Sequence, residues 1–250
     1  MKDSKRLLTL VYSYYKNPSM FLRQLEEWEL YPDEVKARTE IIITDDCSPE
    51  RKLSEVLRTP HGMRLKAFEI QKKVPWNWLS CRNIGAHYAR GKWLLLTDID
   101  HLLSKRDAGV LIQLLRRNKL RPDLFYFLNR VDAPDRTPYK IHKDSYLMSR
   151  ELFWRIGGYD EELAGNYGTS GRYRKRALAA TNQKYKELKD IFLTRFPREV
   201  IADASTDPNE YVRKGEGRSR GAIYKIEMQK LKEGRGNEIR LLSFPYVRLL

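Results

Sequence analysis

At 250 residues, 41% of them hydrophobic, the chain is long enough to bury a sizeable core without disulfide or metal staples. Its net charge of +15 calls for an anionic partner or a solvated basic face, and 19 Lys+Arg against 10 Asp+Glu lie between Gly171 and Leu250. Only Cys47 and Cys81 are present, which excludes a disulfide framework and a Cys-ligated zinc site; with no leader-like stretch after Met1 and no run long enough to span a bilayer, a cytoplasmic protein without a transmembrane segment is expected.

Leu7 to Tyr14 reads as a buried strand. Asn17-Pro18-Ser19 then punctuates, and Phe21, Leu22, Leu25 and Trp28 fall on one face of a helix ended by Tyr31-Pro32. Glu40 to Thr44 is a second strand, closed by Asp45-Asp46, and Ser48-Pro49-Glu50 has the composition of a helix start. Leu65 to Ile70 reads as a third strand, Asn83 to Arg90 as a helix stopped by Gly91, and Trp93 to Thr97 as a fourth strand. An amphipathic helix over Ala108 to Arg117 and a strand over Leu124 to Leu128 follow. Ser149 caps a short helix that Gly157 ends, and residues 205–220 read as a mobile loop or linker.

Strands and helices alternating through short connections predict an α/β fold, a mostly parallel sheet flanked by helices. In such sheets the ligand sits at the carboxyl ends of strands, where Asp45, Asp46, Asp98 and Asp100 all fall. Asp98 and Asp100 lie two apart at the end of an apolar strand, so they can face one cleft. Two such carboxylates, with substrate phosphates opposite, suit Mg²⁺ or Mn²⁺; the bland alternative is a solvated strand end.

These blocks resemble the family-2-like glycosyltransferases of GT-A fold, a Rossmann-like sheet, over roughly residues 6–165. The resemblance rests on the opening strand with Tyr12-Ser13-Tyr14-Tyr15, on Glu40 to Ser48, on Arg82-Asn83-Ile84-Gly85 through Gly91, and on Thr97-Asp98-Ile99-Asp100 in the place of a DxD motif. It implies a nucleotide-sugar donor, most simply a UDP-sugar, with Mn²⁺ or Mg²⁺. Tyr12, Asp46, Arg82, Asn83 and Asp98 would then contact the donor, and Asp98 and Asp100 would act in catalysis and hold the metal. A fifth block, His142 to Met148 followed by Ser149 to Glu161, resembles the acceptor-side strand, helix and Gly-Gly-[Phe/Tyr]-Asp-Glu turn, which makes Asp160 and Glu161 catalytic candidates. The expected division is residues 1–170 as the nucleotide-sugar-binding and catalytic domain and 171–250 as a basic helical C-terminal region for acceptor contact or packing.

One block departs from the pattern. Inverting relatives carry an acidic Gly-x-Gly-Gly-Glu-Asp-type segment that supplies the general base, and this chain has Thr169-Ser170-Gly171 there. An unactivated serine hydroxyl is no base near neutral pH. Asp160, Glu161, Glu162 and His142 stand as alternatives, beside a retaining mechanism, an acceptor that needs little deprotonation, or a weakened enzyme. For the acceptor, Tyr173, Arg174, Lys175, Arg176, Lys184 and Lys186, with Arg213-Lys214 and Arg218-x-Arg220, offer a basic surface suited to a polyanion such as DNA, whose modified bases some phage enzymes glycosylate; a saccharide, lipid-linked or protein acceptor and a solvated basic face are the alternatives. A nucleotidyltransferase and a nucleic-acid-binding protein on a weak transferase scaffold are the competing readings.

Overall fold

The structure is a computed structural model that describes residues 6–166, 168–205, 220–236 and 238–250. The apolar runs form the strands their composition predicts: β1 (Leu8–Tyr14), β2 (Thr39–Asp45), β3 (Arg64–Ile70) and β4 (Trp93–Asp98). These four pair in parallel in the order β3-β2-β1-β4, so β1 lies between two neighbours reached by crossovers on opposite sides. The strand order reverses at β1, which is where an open α/β sheet leaves a crevice at its carboxyl edge. The register aligns Ser13 with Asp98 and Tyr14 with Asp45, so the acidic strand ends share that edge.

Beyond β4 the sheet turns antiparallel through β8 (Tyr146–Ser149) and β6 (Phe125–Asp132), then continues through β9 (Tyr185–Arg195) to β5 (His101–Leu103). A short β7 (Thr137–Tyr139) pairs with β6. At the other edge β10 (Tyr246–Arg248) runs antiparallel to β3. Strands from both sides of residue 170 therefore share one sheet. The expected boundary there falls inside the sheet, and the C-terminal third contributes two strands as well as α7 (Ser170–Ala180) and α8 (Arg220–Lys232).

The strands are two-faced, and each face has its own core. Leu8, Leu10 and Tyr12 point toward α1 (Pro18–Glu29), α2 (Asp33–Arg38) and α5 (Lys105–Arg116), while Val11 and Ile42 point toward α4 (Trp78–Tyr88). Helix α4 begins earlier than its periodicity predicts, and Leu79 to Ala86 are all buried. It lies so close to β1 that a Cβ on Gly85 would come within 2.3 Å of Val11. The Ser48-Pro49 start gives no helix of its own; only the single turn α3 (Leu53–Val56) follows, its Leu53 N–H held by Asp45. Helix α6 (Arg150–Ile156) is capped by Ser149, whose Oγ accepts from the Leu152 N–H, and ended by Gly157 in the left-handed region at φ 92°. No described helix is long and apolar enough to cross a membrane.

Candidate functional site

A cleft of about 510 Å³ opens at the carboxyl edge of the parallel strands. Its walls come from the β1 end (Ser13, Tyr14, Tyr15, Asn17), the β2 end (Asp46), Trp76 of the loop before α4 with Trp78 and Arg82 of α4 itself, the β4 end (Asp98, Ile99, Asp100), and the segment before β8 (His142, Asp144). Ser170, Gly171 and Arg174 of α7 close it from the far side.

Asp46 is 7% exposed. Its Oδ2 accepts the Asn77 N–H at 2.9 Å, while Oδ1 is buried without a partner among the described residues. Burial pushes this carboxyl well above the usual carboxylate range, with the Asn77 bond opposing. A buried acceptor left open inside a cleft is costly unless a ligand supplies the donor.

Arg82 is fully buried, and its charge is tied down from three sides. Nη2 donates to Asp98 Oδ1 at 2.8 Å, and Nη1 donates to the Asp144 carbonyl at 2.7 Å and the Tyr159 hydroxyl at 3.0 Å. The guanidinium carbon lies 4.5 Å from the Trp78 ring centroid. Burial opposes the charge, but Tyr159 and Asp98 more than compensate and raise the Arg82 pKa. Asp98 responds in kind. Desolvation pulls its carboxyl upward, yet Arg82 and then His142 hold it below its ordinary value, so it is a carboxylate.

Asp98, His101 and His142 bring ligand-capable atoms within 4.8 Å of one another. Both nitrogens of His101 are engaged, Nδ1 with Asp100 Oδ1 at 2.7 Å and Nε2 with Arg130 Nη1 at 2.8 Å. His101 is thus buried as a strut for Asp100, and Gln24 Nε2 secures the same turn through the Ile99 and His101 carbonyls. The His142 ring stacks on His101 at 4.5 Å between centroids, Nδ1 lies 2.9 Å from Ser145 Oγ, and Nε2 lies 3.6 Å from Asp98 Oδ2. Burial drives the His142 pKa down to about 4, so the imidazole is neutral near pH 7, the form that ligates metals. Asp98 and His142 thus offer a carboxylate and a neutral imidazole to one point beside His101, the donor types that a divalent ion takes.

Four expected site residues are elsewhere. Tyr12 is fully buried in the core and does not reach the cleft, because strand alternation turns it toward Trp28, 5.6 Å away between ring centroids. Asn83 is buried, with Nδ2 donating to the Tyr159 carbonyl and Glu161 Oε1 and Oδ1 accepting the Tyr159 N–H. Asp160 accepts from Lys230 Nζ at 2.7 Å and from the Arg240 N–H, facing the C-terminal region. Glu161 is 2% exposed and accepts from Asn83 Nδ2, the Leu242 N–H, and the N–H and Oγ–H of Ser243. These four residues border no part of the cleft and hold the fold together. Glu162, ion-paired with Lys230 and Arg235, is likewise occupied.

Residues that sequence reading missed include Trp76, Asn17 and Asp144. Asn17 Oδ1 accepts the Tyr15 N–H, and its Nδ2 donates to the Asp203 carbonyl; the Asp203 carboxylate in turn caps α1 through the Ser19 and Met20 N–H groups. Trp76, at φ 55°, follows a Pro and carries no motif signal. Of the basic residues, Arg174 lines the cleft, Arg172 pairs with Glu227, and Arg176 donates to the Gly158 carbonyl. Tyr173 is core. Lys175, Lys184 and Lys186 are exposed, whereas Arg213, Lys214 and Arg218 lie outside the described residues, as does the side chain of Arg220.

The profile of Glycosyl transferase family 2 matches residues 33–180, more than half of the chain and the part that carries most of the cleft. The chain belongs to this family. Its fold is of the GT-A type. A search by sequence against curated proteins found no match. Among solved structures, TarS of S. aureus aligns at TM-score 0.60 and 13% identity over 79% of this chain and 38% of that one. A 1–349 fragment of TarS in complex with UDP-GlcNAc aligns at TM-score 0.58 and 13% identity over 82% and 63%. The mannosyltransferase PcManGT from Pyrobaculum calidifontis, in complex with GDP-Man and Mn²⁺, aligns at TM-score 0.56 and 16% identity over 95% and 67%. At these identities the likeness is one of fold, and the chain spans about two fifths of the length of the first TarS structure.

Proposed function

We propose that this glycosyltransferase takes its sugar from a nucleoside diphosphate donor bound in the cleft, and that a divalent ion accompanies the donor. The observation that carries the reading is the unpartnered, buried Oδ1 of Asp46 in the same cleft as Asp98 and Asp100. A base N–H or a ribose O–H offers the donor that this oxygen lacks. UDP-GlcNAc in one fold neighbour and GDP-Man with Mn²⁺ in another support a donor of this class. Asp98, Asp100 and His142 would hold the metal, which when bound neutralises charge on the departing diphosphate. Arg82, fixed by Tyr159 and Asp144, orients Asp98 and keeps it ionised. Trp76 and Trp78 wall the cleft.

For the acceptor, the same reading favours a polyanion such as DNA, met by the exposed Lys175, Lys184 and Lys186 rather than by Arg172 or Arg176, whose guanidinium groups are engaged within the protein. The donor reading is tested by incubating the protein with a panel of UDP- and GDP-sugars and Mn²⁺ and measuring nucleotide release. Release from at least one donor, abolished by chelation, is expected; a panel without any turnover or binding counts against it. The acceptor reading predicts duplex binding that weakens as salt rises, with each phosphate contact adding about 0.9 to the log–log slope. Reversing Lys175, Lys184 and Lys186 to Glu lowers that slope, and an unchanged slope removes the polyanion from consideration.

A further inference from the structure

Four carboxylates border the cleft: Asp46, Asp98, Asp100 and Asp144. Asp46 is tied to Asn77, Asp98 to Arg82 and Asp100 to His101. The Asp144 carboxylate accepts no hydrogen bond from any described residue. Its Oδ1 is buried and accepts no hydrogen bond, the side chain is 31% exposed, and its one ion pair among the described residues is a long one, with Arg174 Nη1 at 4.0 Å from Oδ1. The backbone that carries Asp144 is nonetheless fixed. Its carbonyl accepts from Arg82 at 2.7 Å, and the next residue, Ser145, bonds through Oγ to Thr97 Oγ1 at 2.7 Å and to His142 at 2.9 Å.

The position is informative. Arg174 lies four residues after Ser170 on α7, so the two project from one helix face, and both line the cleft. By the family resemblance, Thr169-Ser170-Gly171 stands roughly where inverting relatives carry their acid. Asp144 reaches this space from the opposite wall. Of the other candidates, Asp160, Glu161 and Glu162 are bound up with Lys230, Arg235, Arg240, Leu242 and Ser243, and His142 is engaged with Ser145 Oγ and lies 3.6 Å from Asp98 on the donor side.

Building on the donor reading above, we infer that Asp144 is the catalytic base that replaces the acid absent at Ser170. The acceptor oxygen attacks the anomeric carbon, forming the new C–O bond. The bond from that carbon to the diphosphate oxygen breaks, and its electron pair leaves with the nucleoside diphosphate. The acceptor proton passes to the Asp144 carboxylate, which returns it to solvent after the product departs.

The test uses the full chain with Mn²⁺ and the donor of the UDP- and GDP-sugar panel that the wild type turns over, with water as acceptor. Asp144→Asn keeps the backbone carbonyl for Arg82 and the side-chain shape. It is expected to lower kcat for donor hydrolysis by about 100-fold or more, the usual share of a general base, with KM and nucleoside diphosphate affinity unchanged. Azide has no proton to surrender. Asp144→Ala should therefore form glycosyl azide at a rate close to that of the wild type, a rescue that a merely structural role does not produce. If Asp144→Asn hydrolyses donor within about three-fold of the wild type, far short of a lost base, or if azide fails to restore an Asp144→Ala protein that still binds nucleotide, the assignment is overturned. A wild type that neither binds nucleotide nor turns over any donor overturns the donor reading, and the assignment with it.

Discussion

Glu161→Ala separates the two roles that the Asp160-Glu161 turn could play. In the structure Glu161 is 2% exposed and its two oxygens accept four hydrogen bonds, at 2.8 and 3.0 Å on Oε1 and at 2.7 and 2.8 Å on Oε2. Three of the four donors belong to Leu242 and Ser243, on the segment that leads into β10. That segment is pinned further by the Gln71 N–H to the Pro245 carbonyl and the Leu249 N–H to the Ala67 carbonyl. Hydrogen bonds to a buried charge contribute about 1.5 to 3 kcal/mol each, but the strap can loosen and rehydrate its donors, so we expect a net loss of about 3 kcal/mol. For a chain of this size that lowers Tm by about 6 to 12 °C. Thermal melts give the stability, and donor turnover is measured well below both midpoints. The structure predicts a lower Tm with turnover per folded molecule within about three-fold of the wild type, less than the loss of a catalytic group costs. An unchanged Tm with turnover abolished and nucleotide still bound would refute the structural role and return Glu161 to the chemistry.

Asp46→Ala removes the open acceptor and should weaken nucleoside diphosphate binding by about 10-fold, the loss of one hydrogen bond of about 1.5 kcal/mol; calorimetry showing unchanged affinity would exclude Asp46 from the donor site. Ser170→Ala should keep appreciable donor turnover, since an unactivated hydroxyl cannot serve as base near neutral pH, and complete loss in a folded protein that binds nucleotide would contradict this. His142, held down to about 4 by burial, takes up its proton in the folded state well below its ordinary range. The unfolded chain therefore binds more protons between about pH 4 and 6.5, and stability falls as pH falls through that window, by up to about 3 kcal/mol in the metal-free protein. Urea midpoints at pH 4.5 and 7 should show this slope in the wild type and a flatter one in His142→Gln; equal slopes would mean that another group titrates there.

The parts of this molecule that were legible in its sequence are those where local composition and burial coincide. The runs Leu8 to Tyr14, Ile41 to Ile43 and Leu94 to Leu96 are fully or almost fully buried, and they read as strands because nothing else accommodates so many apolar residues in so few positions. Asp46, Asp98 and Asp100 were visible because strand ends in such a sheet meet at one edge. Tyr12 misled because a motif does not say which face of the strand a residue takes. Asn83, Asp160 and Glu161 misled for a different reason: their partners lie 70 to 82 residues away, and no local pattern announces that a C-terminal strap will engage a buried glutamate. Asp144 was hidden in the other direction. It lies in the polar run His142-Lys143-Asp144-Ser145 at the head of the fifth block, and no local pattern shows that Arg82 will fix its place before β8.

The central claim is that the cleft at the carboxyl edge binds a nucleoside diphosphate with a divalent ion. Isothermal titration of UDP, and of GDP, into the protein with and without Mn²⁺ tests it most directly, with Asp100→Ala as the paired variant. The structure predicts binding to at least one nucleotide that strengthens on adding Mn²⁺ in the wild type and gains nothing from Mn²⁺ in the variant. Absence of binding to either nucleotide, or an affinity indifferent to both Mn²⁺ and Asp100→Ala, would contradict it.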